Sequence, residues 1–488
     1  MPSIRAAIRF CLNDEFVELT DIPHQQPVLD FLRLERALVG TKEGCAEGDC
    51  GACTILVGRL KVGGDLIYEP INACIRMTAS LDGMHVVTIE NLRQGARLHP
   101  VQQAMVDYHS SQCGFCTPGI VMSLYHNWLT TPQPTVKSIE RSLQGNLCRC
   151  TGYAPILRAA QATGDYGVPE ADPLVLASAE MAEKLQALQD EARIVLNSGQ
   201  GTSILPADTD DLAAVLEENP DAAIVAGSTD VGLWVTKQMR HMPTLVFLSR
   251  VAGLKTVTVE DGCLSIGGAV TYAEAEATIG KYLPELARLW PRIGGEQVRH
   301  AGTIGGNIAN GSPIGDTPPA LIALGAEITL RHGKARRVVR LEDFFIAYGK
   351  QDRTPGEFIE RIDVPLLHPD ERFAVYKVSK RFDEDITSVL GAFRLRLEQG
   401  RVADVTVAYG GMAGIPKRAT AVEAALQGQV WSRTNVEAAI SAFGEDFQPL
   451  DDWRASAAYR NTVARNLLLR FWAETTGENT DLRALAHA

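Results

Sequence analysis

Ten cysteines punctuate this 488-residue chain, and eight of them lie between positions 45 and 150. Cysteines crowded in this way more often hold a metal than pair as disulfides. The first four follow the pattern Cys45-x4-Cys50-x2-Cys53, with Cys74 twenty-one residues further on. That is the plant-type ferredoxin spacing for a two-iron, two-sulfur (2Fe–2S) cluster. Four thiolates offset the charge of two ferric ions, and the sulfurs then need backbone N–H donors. The loop Glu43-Gly44-Cys45-Ala46-Glu47-Gly48-Asp49-Cys50-Gly51 supplies glycines that let the backbone wrap an inorganic core. Structural zinc draws instead on two Cys-x2-Cys pairs, and this run fits it less well.

The second four are Cys113-Gly114-Phe115-Cys116 and Cys148-Arg149-Cys150. Taken alone, this spacing suits an iron–sulfur cluster, a zinc ion or a redox dithiol. Its place beside a plant-type run favours a second cluster. Cys11 and Cys263 sit in strand-like segments and read as small buried hydrophobes.

Two glycine-rich runs follow. Ile224-Val225-Ala226-Gly227-Ser228-Thr229-Asp230-Val231-Gly232 reads as a strand, a Gly/Ser/Thr turn and a helix. Backbone N–H groups at such a turn can cradle a pyrophosphate. Gly302-Thr303-Ile304-Gly305-Gly306-Asn307-Ile308-Ala309-Asn310-Gly311 offers a hydroxyl, amides and paired glycines for close approach to phosphate and ribose. Neither run is the G-x-G-x-x-G of a Rossmann turn, and the chain holds no such motif. Alone, such glycine-rich runs are more often plain turns.

These residues need elements to position them. Residues 3–20 alternate apolar and polar around Asn13-Asp14 and read as a β-hairpin. Val28, Leu29, Leu32 and Leu34 suggest a short helix, and Ile55–Val57 and Leu66–Tyr68 suggest strands. Pro100 opens a helix with Val101, Ala104, Met105 and Tyr108 on one face. Three more helices are expected at 120–129, 138–143 and 156–163, giving a four-helix bundle. The expected domains are 1–90 and 91–165 around the two cysteine sets, and a linker with some helix at 166–200. A domain at 201–370 then carries the glycine runs, and an α+β domain at 371–488 follows.

Composition narrows the classes. Apolar residues make up 45% and charged residues 22%, a globular profile. No run approaches 18 apolar residues, so no transmembrane helix is expected. The N-terminus lacks the pattern of a signal peptide, and a cytoplasmic protein is expected. The net charge of −12, with no block of Lys or Arg, argues against nucleic acid and membrane surfaces as partners.

The runs CAEGDCGAC, QCGFCTPG and GNLCRCTGY resemble the paired 2Fe–2S domains of the xanthine oxidase family of molybdenum hydroxylases, across residues 3–165. The resemblance implies that Cys45, Cys50, Cys53 and Cys74 hold one cluster. It implies that Cys113, Cys116, Cys148 and Cys150 hold the other, with Gln112 beside it near a molybdopterin. The two glycine runs resemble the vanillyl-alcohol-oxidase-like FAD module of the same family. That implies FAD contacts at Ile224, Val225, Ala226, Gly227, Ser228, Thr229, Asp230, Val231, Thr303, Gly305, Gly306, Asn307 and Asn310. Asp316, in Ser312-Pro313-Ile314-Gly315-Asp316, is implied at the adenosine end, and Lys377 near the flavin ring. Ile293 departs from the aromatic residue that vertebrate members place over the ring, and the loop 380–385 also differs.

The architecture so implied is multidomain α+β. It comprises a β-grasp 2Fe–2S ferredoxin domain, a four-helix-bundle 2Fe–2S domain, a vanillyl-alcohol-oxidase-like FAD domain and a C-terminal α+β domain. No catalytic acid–base residue is expected on this chain. The resemblance to bacterial xanthine dehydrogenases implies a large molybdopterin-binding partner subunit in a dimer of heterodimers, and NAD+ as the electron acceptor. Other members of the family, acting on aldehydes or N-heterocycles, share the same electron-transfer role. A ferredoxin-like carrier without turnover is a further alternative, against which a complete flavin module argues, and a zinc-binding interaction protein is the remaining non-enzyme option.

Overall fold

The computed structural model describes residues 2–61, 63–131, 133–478 and 480. The chain divides into two compact units. The first comprises Met1–Leu254, Thr271–Ala273 and Gly294–Thr303, and the second Lys255–Val270, Glu274–Ile293 and Ile304–Ala488.

The first unit begins with a five-stranded sheet, in the order Glu15–Leu19, Ile8–Leu12, His85–Val87, Thr54–Leu60, Leu66–Asn72. The hairpin turns at Asn13-Asp14, as the alternation implies, with Ile8 opposite Leu19. It starts only at Ile8, because Ile4–Arg5 pairs in parallel with Arg193 and Ile194 in a different sheet. Ile8, Phe10 and Leu12 are buried with Phe31, Val57 and Leu81 in one core. The expected short helix is there, as Val28–Asp30 running into one π-helical turn at Phe31–Glu35. Leu34 lies outside the buried face and is 78% exposed.

Four helices follow: Pro100–Asp107, Thr117–Thr130, Val136–Ser142 and Ala154–Ala162. Val101, Ala104 and Met105 are buried in their core, whereas Tyr108 is exposed at the helix end. The helix Thr117–Thr130 buries residues all round, as expected of a helix covered on several sides.

The stretch expected as a linker holds more structure than its composition suggests. It contains helices Pro173–Leu176 and Ser178–Leu188 and ends on the strand Arg193–Ser198. Asp172 ties its start down: it is buried and accepts from Tyr125 Oη at 2.7 Å and from Leu174 N at 2.9 Å. His99 Nε2 lies 2.8 Å from its other oxygen. The strand Arg193–Ser198 lies in a second five-stranded sheet, between Ile4–Arg5 and Gly201–Leu205, followed by Thr244–Phe247 and Ala223–Val225.

The second unit holds a five-stranded antiparallel sheet ordered Val257–Glu260, Cys263–Gly267, Phe358–Pro365, Glu327–His332, Ala335–Arg340. A four-stranded sheet of Glu371–Val378, Val389–Glu398, Arg401–Gly410 and Lys417–Arg418 packs against the helices Thr420–Leu426 and Ala457–Thr475. Phe393, Tyr409, Phe443 and Phe471 are all fully buried there. Among the described residues, no helix is long and apolar enough to cross a membrane.

Candidate iron–sulfur and flavin sites

The loop between Gly44 and Cys53 curls through positive φ, at 78° for Gly48, which adopts it freely, and at 54° for Ala46, which is strained there. This curl points three backbone N–H groups, of Glu47, Asp49 and Cys50, at Cys45 Sγ, each at 3.4 Å. Bonds to the Cys50 and Cys74 sulfurs hold the Cys45 thiol far below its usual range, with the Glu47 and Cys50 N–H groups helping against burial. The Cys53 thiol is lowered as well, chiefly by Cys74, and Asn72 Nδ2 donates to Cys53 Sγ at 3.9 Å. Cys50 and Cys74, which face those sulfurs, are raised. All four sulfurs of the first set therefore meet.

The second set also meets, in the pairs Cys116 with Cys148 and Cys113 with Cys150. Burial, then Cys148, pushes the Cys116 thiol up to about 12. Burial opposes ionisation of Cys148, but the Thr151 hydroxyl at 3.2 Å and the backbone N–H groups of Thr151 and Cys150 outweigh it. Gln112 Nε2 donates to Cys150 O at 3.0 Å, which puts that glutamine against the same loop. Cys53, Cys74 and Cys148 are buried, whereas Cys113 and Cys150 are exposed.

Among the described residues, no three His, Cys, Asp or Glu side chains are set to hold a single metal ion. Four sulfurs brought together in each set, with N–H groups aimed at Cys45 Sγ, fit the thiolate complement that a 2Fe–2S cluster would need. The two sets are joined directly: Leu147 N donates to Cys50 O at 2.9 Å.

The first glycine run is a strand, Ala223–Val225, then a turn, then a helix, Val231–Thr236. A Cβ at Gly227 would lie 1.7 Å from Ala301 O, so only glycine lets these backbones touch. Ser228 takes φ 63°, and its Oγ is buried without a hydrogen-bond partner. A buried unpartnered hydroxyl carries a desolvation penalty that a ligand oxygen would relieve. The turn therefore fits a phosphate-bearing cofactor. Burial raises the pKa of Asp230 in the same turn.

In the second unit, the helix Ile304–Asn310 sits on the backbone of Gly268, and a Cβ at Gly305 would lie 2.3 Å from Gly268 O. Asn307 Oδ1 accepts from Thr317 Oγ1 at 2.6 Å. Thr303 is buried. Lys377 Nζ lies 2.6 Å from Asp316 Oδ2, and it also donates to Arg292 O at 2.8 Å. The Thr387 hydroxyl bonds the other Asp316 oxygen. An extended dinucleotide keeps its adenosine far from its ring system. Asp316 and Lys377 thus meet in one place, so an extended dinucleotide touching both would do so at one end.

Sequence reasoning missed Arg292 and Thr387. Arg292 donates to Lys377 O at 2.7 Å and Ser379 Oγ at 3.1 Å, and its guanidinium lies 4.5 Å from the Phe382 ring centroid. It thereby fixes the start of the divergent loop 380–385. No local motif marks either residue, because their partners lie 71–90 residues away in sequence. Ile293, the departure from the aromatic pattern, is buried.

Residues 88–161 match a family model described as a 2Fe–2S binding domain. Residues 198–367 match the FAD binding domain in molybdopterin dehydrogenase, and 374–475 the CO dehydrogenase flavoprotein C-terminal domain. The chain thus carries the iron–sulfur and flavin domains of the molybdenum hydroxylase family. It is 28% identical over 518 residues to the xanthine dehydrogenase/oxidase of Rattus norvegicus, across 95% of this chain and 38% of that protein. It is 33% identical over 459 residues to the xanthine dehydrogenase of Drosophila subobscura, across 83% of this chain and 34% of that protein. The chain therefore spans little more than a third of these relatives' length. Among solved structures, carbon monoxide dehydrogenase from Hydrogenophaga pseudoflava superposes with a TM-score of 0.52 at 27% identity, covering 55% of this chain and 93% of that one. Quinoline 2-oxidoreductase from Pseudomonas putida 86 gives 0.51 at 25%, covering 55% and 94%.

Proposed function

We propose that this chain is the iron–sulfur and flavin electron-transfer unit of a cytoplasmic xanthine dehydrogenase. Its functional divisions are 1–90 and 91–165 for the two clusters, 166–200 as connection, 201–370 for FAD and 371–488 as the closing domain. Cys45, Cys50, Cys53 and Cys74 hold the first cluster, and Cys113, Cys116, Cys148 and Cys150 the second. The turn 224–231, with Thr303, Gly305, Gly306, Asn307 and Asn310, holds FAD, with Asp316 and Lys377 together at one end of it. A large molybdopterin-binding subunit, in a dimer of heterodimers, converts hypoxanthine and xanthine to urate. When bound at these residues, the clusters would supply single-electron carriage from that partner, and FAD the two-electron chemistry of hydride transfer to NAD+.

The protein's own residues set the conditions for this traffic. The N–H groups of Glu47, Asp49 and Cys50 favour the thiolate of Cys45. Thr151 does the same for Cys148, and hydrogen bonds to ligand sulfurs are a lever on cluster potential. Lys377 brings a buried positive charge that Asp316 orients. No group on the chain needs to move a substrate proton.

The observation that carries the reading is the joining of the two four-cysteine sets by the Leu147 N to Cys50 O bond. The similarity to xanthine dehydrogenases supports the choice of purine substrate. The test is anaerobic addition of xanthine to the complex isolated from its native source. Bleaching of the iron–sulfur and flavin bands is expected. Bleaching by dithionite but not by xanthine would leave electron transfer standing and overturn the substrate, making aldehydes and other N-heterocycles the candidates.

A further inference from the structure

One short helix, Glu296–Ala301, lies within the stretch that matches the FAD-binding family, yet it packs in the first unit with both cysteine loops. Its Gln297 is 1% exposed. Gln297 Nε2 donates to Asn146 Oδ1 at 2.8 Å and to Thr54 Oγ1 at 3.0 Å, with Ser123 Oγ at 3.2 Å. An amide has two N–H donors, so the two shorter contacts take them and the third is shared.

Those acceptors are not arbitrary. Thr54 follows Cys53, and its hydroxyl donates to Gly51 O at 2.7 Å. Asn146 lies two residues before Cys148, and its Nδ2 donates to the same Gly51 O at 3.2 Å. Ser123 Oγ donates to Asn146 Oδ1 at 2.7 Å and so holds that amide in place. Leu147 N reaches Cys50 O at 2.9 Å. The loops touch backbone to backbone as well, since a Cβ at Gly51 would lie 2.0 Å from Gly145 O. Gln297, Thr54, Ser123 and Asn146 are all buried and nearly every side-chain donor among them is used, which makes the geometry stiff.

Neighbouring residues clamp the same helix. Glu296 N donates to Gln144 O at 2.9 Å, and Arg299 to Gln144 Oε1 at 2.8 Å. The Arg299 guanidinium also bonds Gly294 O at 2.9 Å. Gln297 is therefore delivered to the node by a helix that has little freedom of its own.

We propose that Gln297 is a positioning residue that fixes the spacing between the two cluster-bearing loops. The inference rests on the assignment of the eight cysteines to two 2Fe–2S clusters. Electron transfer between centres depends on their separation and on the bonded path between them. A side chain that locks Gly51–Thr54 against Asn146–Cys148 thereby sets the rate of the relay without touching either centre. Gln297 is no cysteine neighbour in sequence, and its effect is exerted through Thr54 and Asn146.

The experiment compares the full chain, in its complex, with Gln297→Ala and Gln297→Glu. Glu keeps the shape and removes the N–H donors. Electron paramagnetic resonance of the dithionite-reduced proteins at low temperature reads both cluster signals and the splitting caused by one reduced cluster on the other. Iron and sulfide contents are measured alongside, as is the melting temperature. The expected result is full iron content, both signals present, and loss or marked change of the splitting in Gln297→Glu. Transfer of an electron between the clusters, followed after pulse reduction, becomes slower in the same variant. Unchanged splitting and unchanged transfer in Gln297→Glu overturn the proposal, whatever happens to the melting temperature. If Gln297→Ala loses a cluster outright while Gln297→Glu keeps both, the Glu variant alone decides. A wild-type chain without two cluster signals overturns the parent reading, and this inference with it, before any variant is made.

Discussion

Lys377 Nζ sits 2.6 Å from Asp316 Oδ2, and the two side chains are 2% and 10% exposed. The pair joins residues 61 apart in sequence, the helix start at Asp316 and the strand Glu371–Val378. Both carboxylate oxygens are used, one by Lys377 and one by Thr387, and the ammonium has a second acceptor in Arg292 O. This arrangement leaves neither charge buried alone.

Breaking one side should therefore cost more than removing both. Lys377→Met leaves the Asp316 carboxylate buried without its cation, for a loss of about 3–5 kcal/mol. Lys377→Met with Asp316→Leu removes both charges and should recover much of that. Urea unfolding of the second unit, followed by Trp fluorescence, checks it. A double variant as unstable as the single one would show that the pair is not what stabilises this site.

His300 lies between Glu296 Oε1 at 3.3 Å and Glu69 Oε1 at 3.5 Å, with the His126 ring edge-on at 5.5 Å. Burial alone would lower its pKa, but the two carboxylates outweigh burial and raise it to about 9. Glu69 is pushed down to about 2, against burial, by His300 and Arg59. His126, buried and facing His300, is lowered to about 4 and so stays neutral at pH 7. A folded pKa above the ordinary 6.5 means that the stabilisation is fully present below pH 6.5 and is lost as pH rises through about 9. The size is about 3 kcal/mol. Unfolding midpoints of the first unit should fall between pH 7 and 10 in the wild type and stay flatter in His300→Gln. Parallel pH profiles would remove His300 as the cause.

Much of this was legible in sequence where chemistry is local. Cys45, Cys50 and Cys53 must sit on one loop because their spacing is short, and the glycines around them announce its curl. The hairpin at Asn13-Asp14 and the helix after Pro100 follow from turn chemistry and apolar period. What stayed hidden depends on distant partners. Gln297 reads as an ordinary helix residue until Thr54 and Asn146 arrive from 243 and 151 residues away. Ile4–Arg5 alternates like a hairpin strand, but pairing with Arg193 and Ile194 captures it. Asp316 matched a motif, and only the fold shows that its partner is Lys377. The 166–200 stretch looked like a linker because proline and acidic residues are common in linkers, whereas Asp172 is in fact an anchor.

That anchor makes the third prediction. Burial opposes the charge on Asp172, but bonds from His99, Tyr125 and Leu174 N hold its carboxyl below the usual range. A depressed pKa gives stability that is present above pH 3.8 and lost as pH falls through the folded value. Asp172→Ala leaves the Tyr125 hydroxyl and the His99 ring buried without their partner, at about 1–3 kcal/mol for each orphaned group. The melting temperature should drop, and limited proteolysis should cut near 173–190 sooner than in the wild type. Unchanged cleavage there would show that the stretch is held by its other contacts instead.

The cluster assignment itself is tested most sharply at Cys148. This residue is buried, paired with Cys116, and takes its hydrogen bonds from Thr151 and neighbouring N–H groups rather than from the first loop. Serine oxygen is a harder and much less acidic ligand than thiolate sulfur, so Cys148→Ser should empty or strongly perturb the second centre. Cys45, Cys50, Cys53 and Cys74 form a separate sulfur set, and their centre should survive. Electron paramagnetic resonance of the reduced variant should therefore lose one of two iron–sulfur signals, with iron content falling from about four to about two per chain. Loss of both signals would mean that the two loops assemble as one site. Retention of both would remove Cys148 from the ligand set.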